Sequence, residues 1–516
     1  MRIAWRRTTE LAAASNNIAS MYEIELKFAV PTERRAVLEK ALKRGSVRIE
    51  RMRAIYFDTT DDRLAKSGIS LRLRKEGRHW VQTVKAAADS LRRLEHNVSV
   101  TPPRGGGPPA LDLTRHDATP AGEVLRKALE NGSDGGSSAG LSVRFRTQVS
   151  RMIRTIRTPG ARVEIVLDTG KIVAGDRSWP ICELELELKS GRVAALVSLA
   201  AQWASRYGLW LSTISKAERG ARLAHGEVEA RPVKAEAPLV DVKQGAAAFF
   251  VATMESCLAQ VLGNASEVVA GACDEPVVHQ LRIGLRRLRT ALRELGMLID
   301  GIDPAWEPVL RRAFQQLGEY RDMAIIVPAA RQELHAAGAP PFLDPKPVHG
   351  GCRPENAVRD PLFQRTLLDV LAFTHDQETE GVGVDRIGKD VRTLVSERLE
   401  DLRRCIARDG KRFVTLDSAR QHRVRKRLKR LRYLSEFVAP LFGTKEIKRY
   451  LTGWRQAQDA LGEYNDQKIA AQVFRAETQT QPHAWFAVGW LAARQRASVK
   501  RCKRALLKAA KTPAFW

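Results

Sequence analysis

Two short runs place carboxylates at alternate positions: Glu23-Ile-Glu25-Leu-Lys27 and Glu183-Leu-Glu185-Leu-Glu187-Leu-Lys189. In a β-strand, side chains two residues apart share a face, so each run sets its acids and an amine on one side and aliphatic groups on the other. Carboxylates gathered this way offer hard oxygen ligands to a divalent cation. Other runs alternate bases. Arg72 and Arg74 alternate with Leu71 and Leu73, Thr83 and Lys85 with Gln82 and Val84, and Glu164 lies in a further alternating segment. Guanidinium and ammonium groups on such faces can take phosphate oxygens, arginine in two-pronged fashion. One run alone is what any half-buried strand shows to water. Acids on some strands and bases on others suit a closed barrel with a polar interior.

A second set of charged residues has a helical period. His279, Arg282, Arg286 and Arg289 lie at offsets 0, 3, 7 and 10, within roughly a quarter of an α-helix circumference. His422, Arg425, Lys429 and Arg432 repeat the pattern, and Leu317-Gly-Glu-Tyr-Arg-Asp322 recurs as Leu461-Gly-Glu-Tyr-Asn-Asp466. The His-to-Leu spacing differs by one residue between copies. Two homologous helical bundles in tandem are expected. A solvated basic face would account for one stripe. Its repetition at fixed offsets beside a histidine points to phosphate contacts.

These residues need elements to hold them. Residues 21–225 read as mainly β, with alternating runs at Tyr22–Val30, Ile69–Lys75, Trp80–Lys85, Glu95–Val100, Arg162–Leu167 and Ile181–Leu188. Turn-rich pieces at Pro102–Pro109 and Asn131–Gly140 separate several of them, and helical patterns intervene at Pro31–Lys43, Ala121–Leu129 and Val193–Tyr207. Residues 226–244, with Pro232 and Pro238, read as a linker, and 245–512 as helical, interrupted by a Pro- and Gly-rich piece at Ala336–Asp360. Residues 1–20 have no sustained apolar core and read as a flexible leader, not a secretory signal.

The net charge of +27 over 516 residues favours polyanionic partners. Among these, nucleic acid is the lesser alternative, because the basic segments lack interleaved aromatic residues for base stacking. Six scattered cysteines form no C-x-x-C pair, which leaves zinc and redox motifs without support and fits a cytoplasmic location. No stretch of about 20 apolar residues occurs, so no membrane partner is expected.

The N-terminal part resembles the CYTH domains, or triphosphate tunnel metalloenzymes. The resemblance rests on Glu23-x-Glu25-x-Lys27, Tyr56-Phe57-Asp58-Thr59, Gly68 to Arg74, Lys85, Arg93-x-Glu95, Phe145-x-Thr147-x-x-x-Arg151, Glu164 with Asp168-Thr-Gly170, Cys182 to Glu187, and Ser215-Lys216. Many members carry another acid where this chain has Asn97. The resemblance implies an α+β chain that opens with an eight-stranded antiparallel tunnel. It also implies Mg2+ or Mn2+ held by Glu23, Glu25, Glu183 and Glu185, with Glu187 and Asp168 supporting. Lys27, Arg72, Arg74, Lys85, Arg151 and Lys216 would then clamp phosphate, with Glu23, Glu25, Lys27 and Lys85 nearest the chemistry. The helical part resembles the CHAD domain, which implies two tandem four-helix bundles and a basic channel for long-chain polyphosphate, and with it an association with polyphosphate granules. The pairing is similar to that of bacterial inorganic triphosphatases, and tripolyphosphate hydrolysis is the expected activity. Cyclisation of ATP, as in class IV adenylate cyclases, hydrolysis of thiamine or nucleoside triphosphates, and non-catalytic polyphosphate binding are the alternatives.

Overall fold

The computed structural model describes residues 22–87, 91–104, 107–130, 140–227, 230–239, 245–341, 353–379 and 391–516. The expected leader at 1–20 lies outside these residues, as do most of the expected turn Asn131–Gly140 and parts of the 226–244 and Ala336–Asp360 stretches.

The first part runs β1 (Tyr22–Ala29), α1 (Arg35–Leu42), β2 (Arg48–Thr59), α2 (Arg63–Lys66), β3 (Ile69–Glu76), β4 (His79–Ala87), β5 (Arg92–Val100), α3 (Pro120–Glu130), β6 (Leu141–Thr158), β7 (Ala161–Ala174), β8 (Arg177–Gly191), α4 (Val193–Tyr207), β9 (Trp210–Leu211) and α5 (Lys216–His225). The sheet order is β5-β4-β3-β2-β6-β7-β8-β1, and β1 also pairs with β5. Eight antiparallel strands therefore close into a barrel, which leaves these strands no open edge. The two-residue β9 adds alongside β1.

Closure gives the alternating sequence two uses. Outward-facing Leu26, Phe28, Leu184 and Leu186 are fully buried, and α4 packs along β1, β7 and β8. A second outer cluster joins Leu71, Val84 and Leu94 to Val124, Leu125 and Ala128 of α3. Inside, Tyr56 and Phe145 stack with ring centroids 4.4 Å apart, in a cluster with Val149, Ile172 and the α5 residues Ala217, Leu223 and Ala224. Helix α5 thus packs against residues of the barrel's inner face. It approaches so closely at Gly220 that a Cβ there would stand 2.2 Å from the Phe145 ring.

The second part continues with α6 (Ala246–Val269), α7 (Glu275–Leu295), α8 (Trp306–Arg321), a π-helical turn (Asp322–Ile326), α9 (Val327–Ala336), α10 (Pro354–Arg359), α11 (Pro361–Thr379), α12 (Val391–Lys411), α13 (Ser418–Phe437), α14 (Ala439–Phe442), α15 (Thr444–Glu477) and α16 (Ala484–Ala509). Helices α12, α13, α15 and α16 form a ring of four neighbours. Helix α13 also touches α7, its partner in the repeat. The two copies differ at their Leu-Gly-x-x-x-Asp elements. Helix α15 runs straight through Asp466, whereas Asp322 begins the π-helical turn ahead of Pro328, a residue without an N–H for the helical ladder.

The chain divides into two compact units. The first comprises the described residues up to Val233 together with Leu262–Ala272 and Arg359–Thr379; the second comprises the remainder. Among the described residues one helix, α6, is long and apolar enough to cross a membrane by length and composition alone, and 56% of its most apolar stretch is buried within the protein.

Candidate functional site

Directly opposed residues of antiparallel neighbours project from the same face, so the register maps the lumen. Glu25 stands opposite Glu187 and Lys27 opposite Glu185. Glu183 faces Asp168, which faces Arg151. On the other side Glu23 faces Arg93, Lys85 faces Glu95, and Tyr56 faces Arg72. The charged face of every strand run turns inward.

Side chains gather these residues into two groups, each with a lysine among three carboxylates. Asp168, Glu183 and Glu185 bring one oxygen each within 4.8 Å of one another. The Lys216 ammonium lies 2.7 Å from Asp168 and 2.9 Å from Glu185, and it also contacts Glu183. Arg151 donates to both Asp168 oxygens, at 2.8 and 2.6 Å, and to Glu185 at 3.1 Å. Arg219, one helical turn beyond Lys216, pairs with Glu183. Burial opposes ionisation of Asp168 and Glu185, yet Lys216 and Arg151 hold both below the ordinary carboxylate range.

The second group centres on Lys85. It contacts Glu23 and lies 3.3 Å from both Glu25 and Glu95. Arg93 pairs with Glu25 at 2.7 Å, and Arg72 lies 3.8 Å from Glu95 and donates to the Tyr56 hydroxyl at 3.2 Å. Burial, outweighing Lys85 and reinforced by Glu25 and Glu95, pushes Glu23 up to about 9. Asn97 donates to Glu95 at 3.0 Å and accepts from Thr83 at 2.7 Å, so the residue that departs from the usual acid steadies a carboxylate. Arg74 pairs with Glu76, and the Nε groups of Arg72 and Arg74 have no hydrogen-bond partner among the described residues. Lys27 is buried and donates to the Ile214 carbonyl; burial, against the pull of Glu183, lowers its ammonium to about 8.

In the second unit, α7 and α13 bring parts of both basic stripes together. Arg282 donates to the Phe314 carbonyl at 2.9 Å, and Arg282 and Arg286 lie 4.5 and 4.9 Å from the Phe314 ring centre. Burial and the neighbouring Arg286 lower Arg282 and Arg425 to about 10. Burial, then Arg432, Arg286 and Arg425, lower Lys429 to about 7. Asp322 and Asp466 oppose this, acting on Arg282 and Arg425 respectively. Arg289, Arg432 and His279 each face a carboxylate of their own. Arg289 makes a two-pronged pair with Glu307, both contacts at 2.8 Å, and Arg432 lies 3.6 Å from Glu436. His279 lies 3.9 Å from Glu275 on its own helix. Burial and the cations Lys426 and Arg425 push His422 down to about 4.

A model of the CYTH domain matches residues 21–221, and a model of the CHAD domain matches residues 252–475. The chain carries a CYTH domain followed by a CHAD domain. An inorganic triphosphatase of Haemophilus influenzae is 28% identical over 204 residues, a stretch covering 39% of this chain and 54% of that relative. The match thus spans about half the length of that curated relative. A crystal structure of the CHAD domain from the plant Ricinus communis is similar at 23% identity with a TM-score of 0.44, covering 54% of this chain and 96% of that one. A Hippeastrum protein described as a candidate adenylyl cyclase with a dominant triphosphatase activity is similar at 16% identity with a TM-score of 0.28, covering 40% of this chain and 97% of that one.

Within the CYTH barrel, then, Asp168, Glu183 and Glu185 meet at Lys216 and Arg151, while Glu23 and Glu25 meet at Lys85. Glu187 pairs with Lys189, which also lies 3.7 Å from Glu164. Three participants carried no role in the sequence reading: Glu95, Arg93 and Arg219. Arg93 and Glu95 were singled out only as part of the CYTH resemblance, and their alternation on one strand would have placed them on the luminal face. Arg219 could have been found from its position three residues after Lys216 on a helix.

Proposed function

We propose that this chain is a metal-dependent triphosphatase that cleaves tripolyphosphate to pyrophosphate and phosphate, and that its CHAD domain holds long-chain polyphosphate. The CYTH domain and the similar Haemophilus enzyme support a triphosphatase-type function. The observation that carries the reading is the pair of luminal groups, each a lysine among three carboxylates, with Arg72, Arg93, Arg151 and Arg219 beside them.

The donor set fits a hard divalent cation. Asp168, Glu183 and Glu185 supply carboxylate oxygens at close quarters. These three carboxylates would hold Mg2+ or Mn2+, which polarises phosphate oxygens and activates a water when bound. The chain's own bases do the rest. Arg151 and Lys216 are positioned to take phosphate oxygens at one group, and Lys85 with Arg72 at the other. Arg74 keeps a free Nε–H for the same purpose. Such fixed cations stabilise negative charge growing on a leaving phosphate without reorganising at the moment of reaction. Lys27 holds the segment before α5 through Ile214.

In the CHAD domain, Arg282, Arg286, Arg425 and Lys429 form the core of the polyanion face, with His279, Arg289, His422 and Arg432 at its margins. Burial and neighbouring cations hold Arg282, Arg425 and Lys429 below their ordinary values, and a polyanion would relieve that crowding of like charge. The proposed location is the cytoplasm, in association with polyphosphate granules.

The test is phosphate release from tripolyphosphate with Mg2+ and then with EDTA, comparing the native chain with Glu183→Gln/Glu185→Gln. The double variant should lose at least about a hundredfold in turnover, the scale of losing a metal ligand or its close support. Undiminished, EDTA-resistant turnover would reject the assignment.

A further inference from the structure

Helix α5 carries Lys216 and Arg219 into the barrel. It has only ten residues, too few to be stable alone, so tertiary contacts must fix its position. At its start Ser215 caps the helix by accepting from Glu218 N–H at 3.0 Å. Farther along, Arg222 turns to a different partner. It is buried and donates to both oxygens of buried Glu267, one at 3.0 Å, while also reaching Glu218 at 2.6 Å. Glu267 lies near the end of α6, inside the stretch matched by the CHAD model, yet it belongs to the first compact unit.

The neighbouring residues hold the segment that leads into α5. Ser266 Oγ accepts from Thr213 N–H at 2.9 Å, and Gln364 accepts from Leu211 N–H at 2.8 Å. Ser212 N–H, between them, donates to the Lys27 carbonyl at 2.8 Å. Residues 211–222 are thus held between a luminal strand and side chains from the CHAD-matched stretch.

We propose that Glu267 is a positioning residue for the barrel site: by pairing with Arg222 it sets where α5 presents Lys216 and Arg219 to Asp168, Glu183 and Glu185. The two-pronged geometry fixes direction as well as distance. Without Glu267, Arg222 would keep only Glu218 of its own helix, which cannot anchor α5 to anything outside itself, and its buried charge would be drawn towards other acids or water. In its catalytic consequence this proposal rests on the triphosphatase reading above; in its structural consequence it does not.

The experiment uses the full chain with Glu267→Gln and Glu267→Asp. Hydrogen exchange is followed at the amides of 216–225 and, as a control, of β6–β8; KM and kcat are measured for tripolyphosphate with Mg2+. For Glu267→Gln, α5 should exchange faster while β6–β8 stay protected, and KM should rise about 10- to 100-fold, the usual effect of losing an outer support of a site, with a smaller change in kcat. Glu267→Asp keeps the charge and should fall between the two. Unchanged α5 exchange together with a KM within about twofold of the native chain would overturn the proposal. If the native chain does not turn over tripolyphosphate, the functional reading fails, and α5 exchange alone decides the positioning claim.

Discussion

Asp168→Asn tests the charge balance of the barrel. The carboxylate is fully buried and is met by Arg151 at 2.8 and 2.6 Å and by Lys216 at 2.7 Å. Three acids, Asp168, Glu183 and Glu185, face three bases, Arg151, Lys216 and Arg219, so the substitution leaves one buried positive charge uncompensated. Breaking a buried pair in this way costs about 3–5 kcal/mol. For a domain of this size each kcal/mol lowers the melting temperature by about 2–4 °C, so the barrel transition should fall by about 6–20 °C. The assay is calorimetry of the full chain in EDTA. Asp168 titrates below its ordinary range despite burial, because of Lys216 and Arg151. Its contribution is therefore fully present above the unfolded value of about 3.9 and is lost as pH falls from there through the lower folded-state value, so the gap between variant and native chain should narrow on acidification. Mg2+ at a hundred times its dissociation constant should stabilise the native chain by about 2.7 kcal/mol, and the variant should lose most of that gain. A melting point within about 1 °C of native in EDTA at neutral pH would refute the reasoning.

Other outcomes follow from single contacts. Gly220→Ala puts a methyl into the Phe145 ring; urea unfolding should show a loss of about 1–3 kcal/mol, with a rise in KM for tripolyphosphate as α5 shifts. Lys429, lowered to about 7 by burial and then by Arg432, Arg286 and Arg425, loses its charge as pH rises through that value. Polyphosphate affinity, measured by calorimetric titration, should therefore fall above about pH 7, and Lys429→Arg should flatten the profile. Polyphosphate affinity should also weaken with salt, and Arg286→Ala or Arg425→Ala should each reduce the slope of log affinity against log salt by about 1. An unchanged slope would place the polyanion elsewhere.

Much of the site was legible because a strand's two-residue period is visible wherever acids or bases alternate with leucine. The Glu23 and Glu183 runs show it plainly, and closure of the sheet turns both inward. β2 and β6 were harder to see. In Arg48–Thr59 and Leu141–Thr158 arginine, threonine and serine occupy both faces, because parts of these strands are exposed on the outside while the inner face carries Tyr56, Phe145 and Val149. Which acids share a partner was also hidden, since it depends on register: one strand of acids meets Lys85 and another meets Lys216. The helical stripes were legible as a repeat, but not the division of labour within them. Arg289 has the same spacing as Arg282 and Arg286, and only the approach of Glu307 from α8 commits it to an ion pair. Least visible was the placement of Ser266, Glu267 and Gln364 with the barrel. A composition change near residue 245 marks where helices begin, and it says nothing about which of them pack on the barrel.

The most direct measurement is product analysis. The chain is incubated in parallel with tripolyphosphate, ATP, thiamine triphosphate and long-chain polyphosphate, with Mg2+ and with EDTA, and the phosphate species are separated. Our reading expects tripolyphosphate to be the preferred substrate, giving equimolar pyrophosphate and phosphate only when Mg2+ is present. Preference for ATP with release of pyrophosphate and a cyclic nucleotide would contradict it.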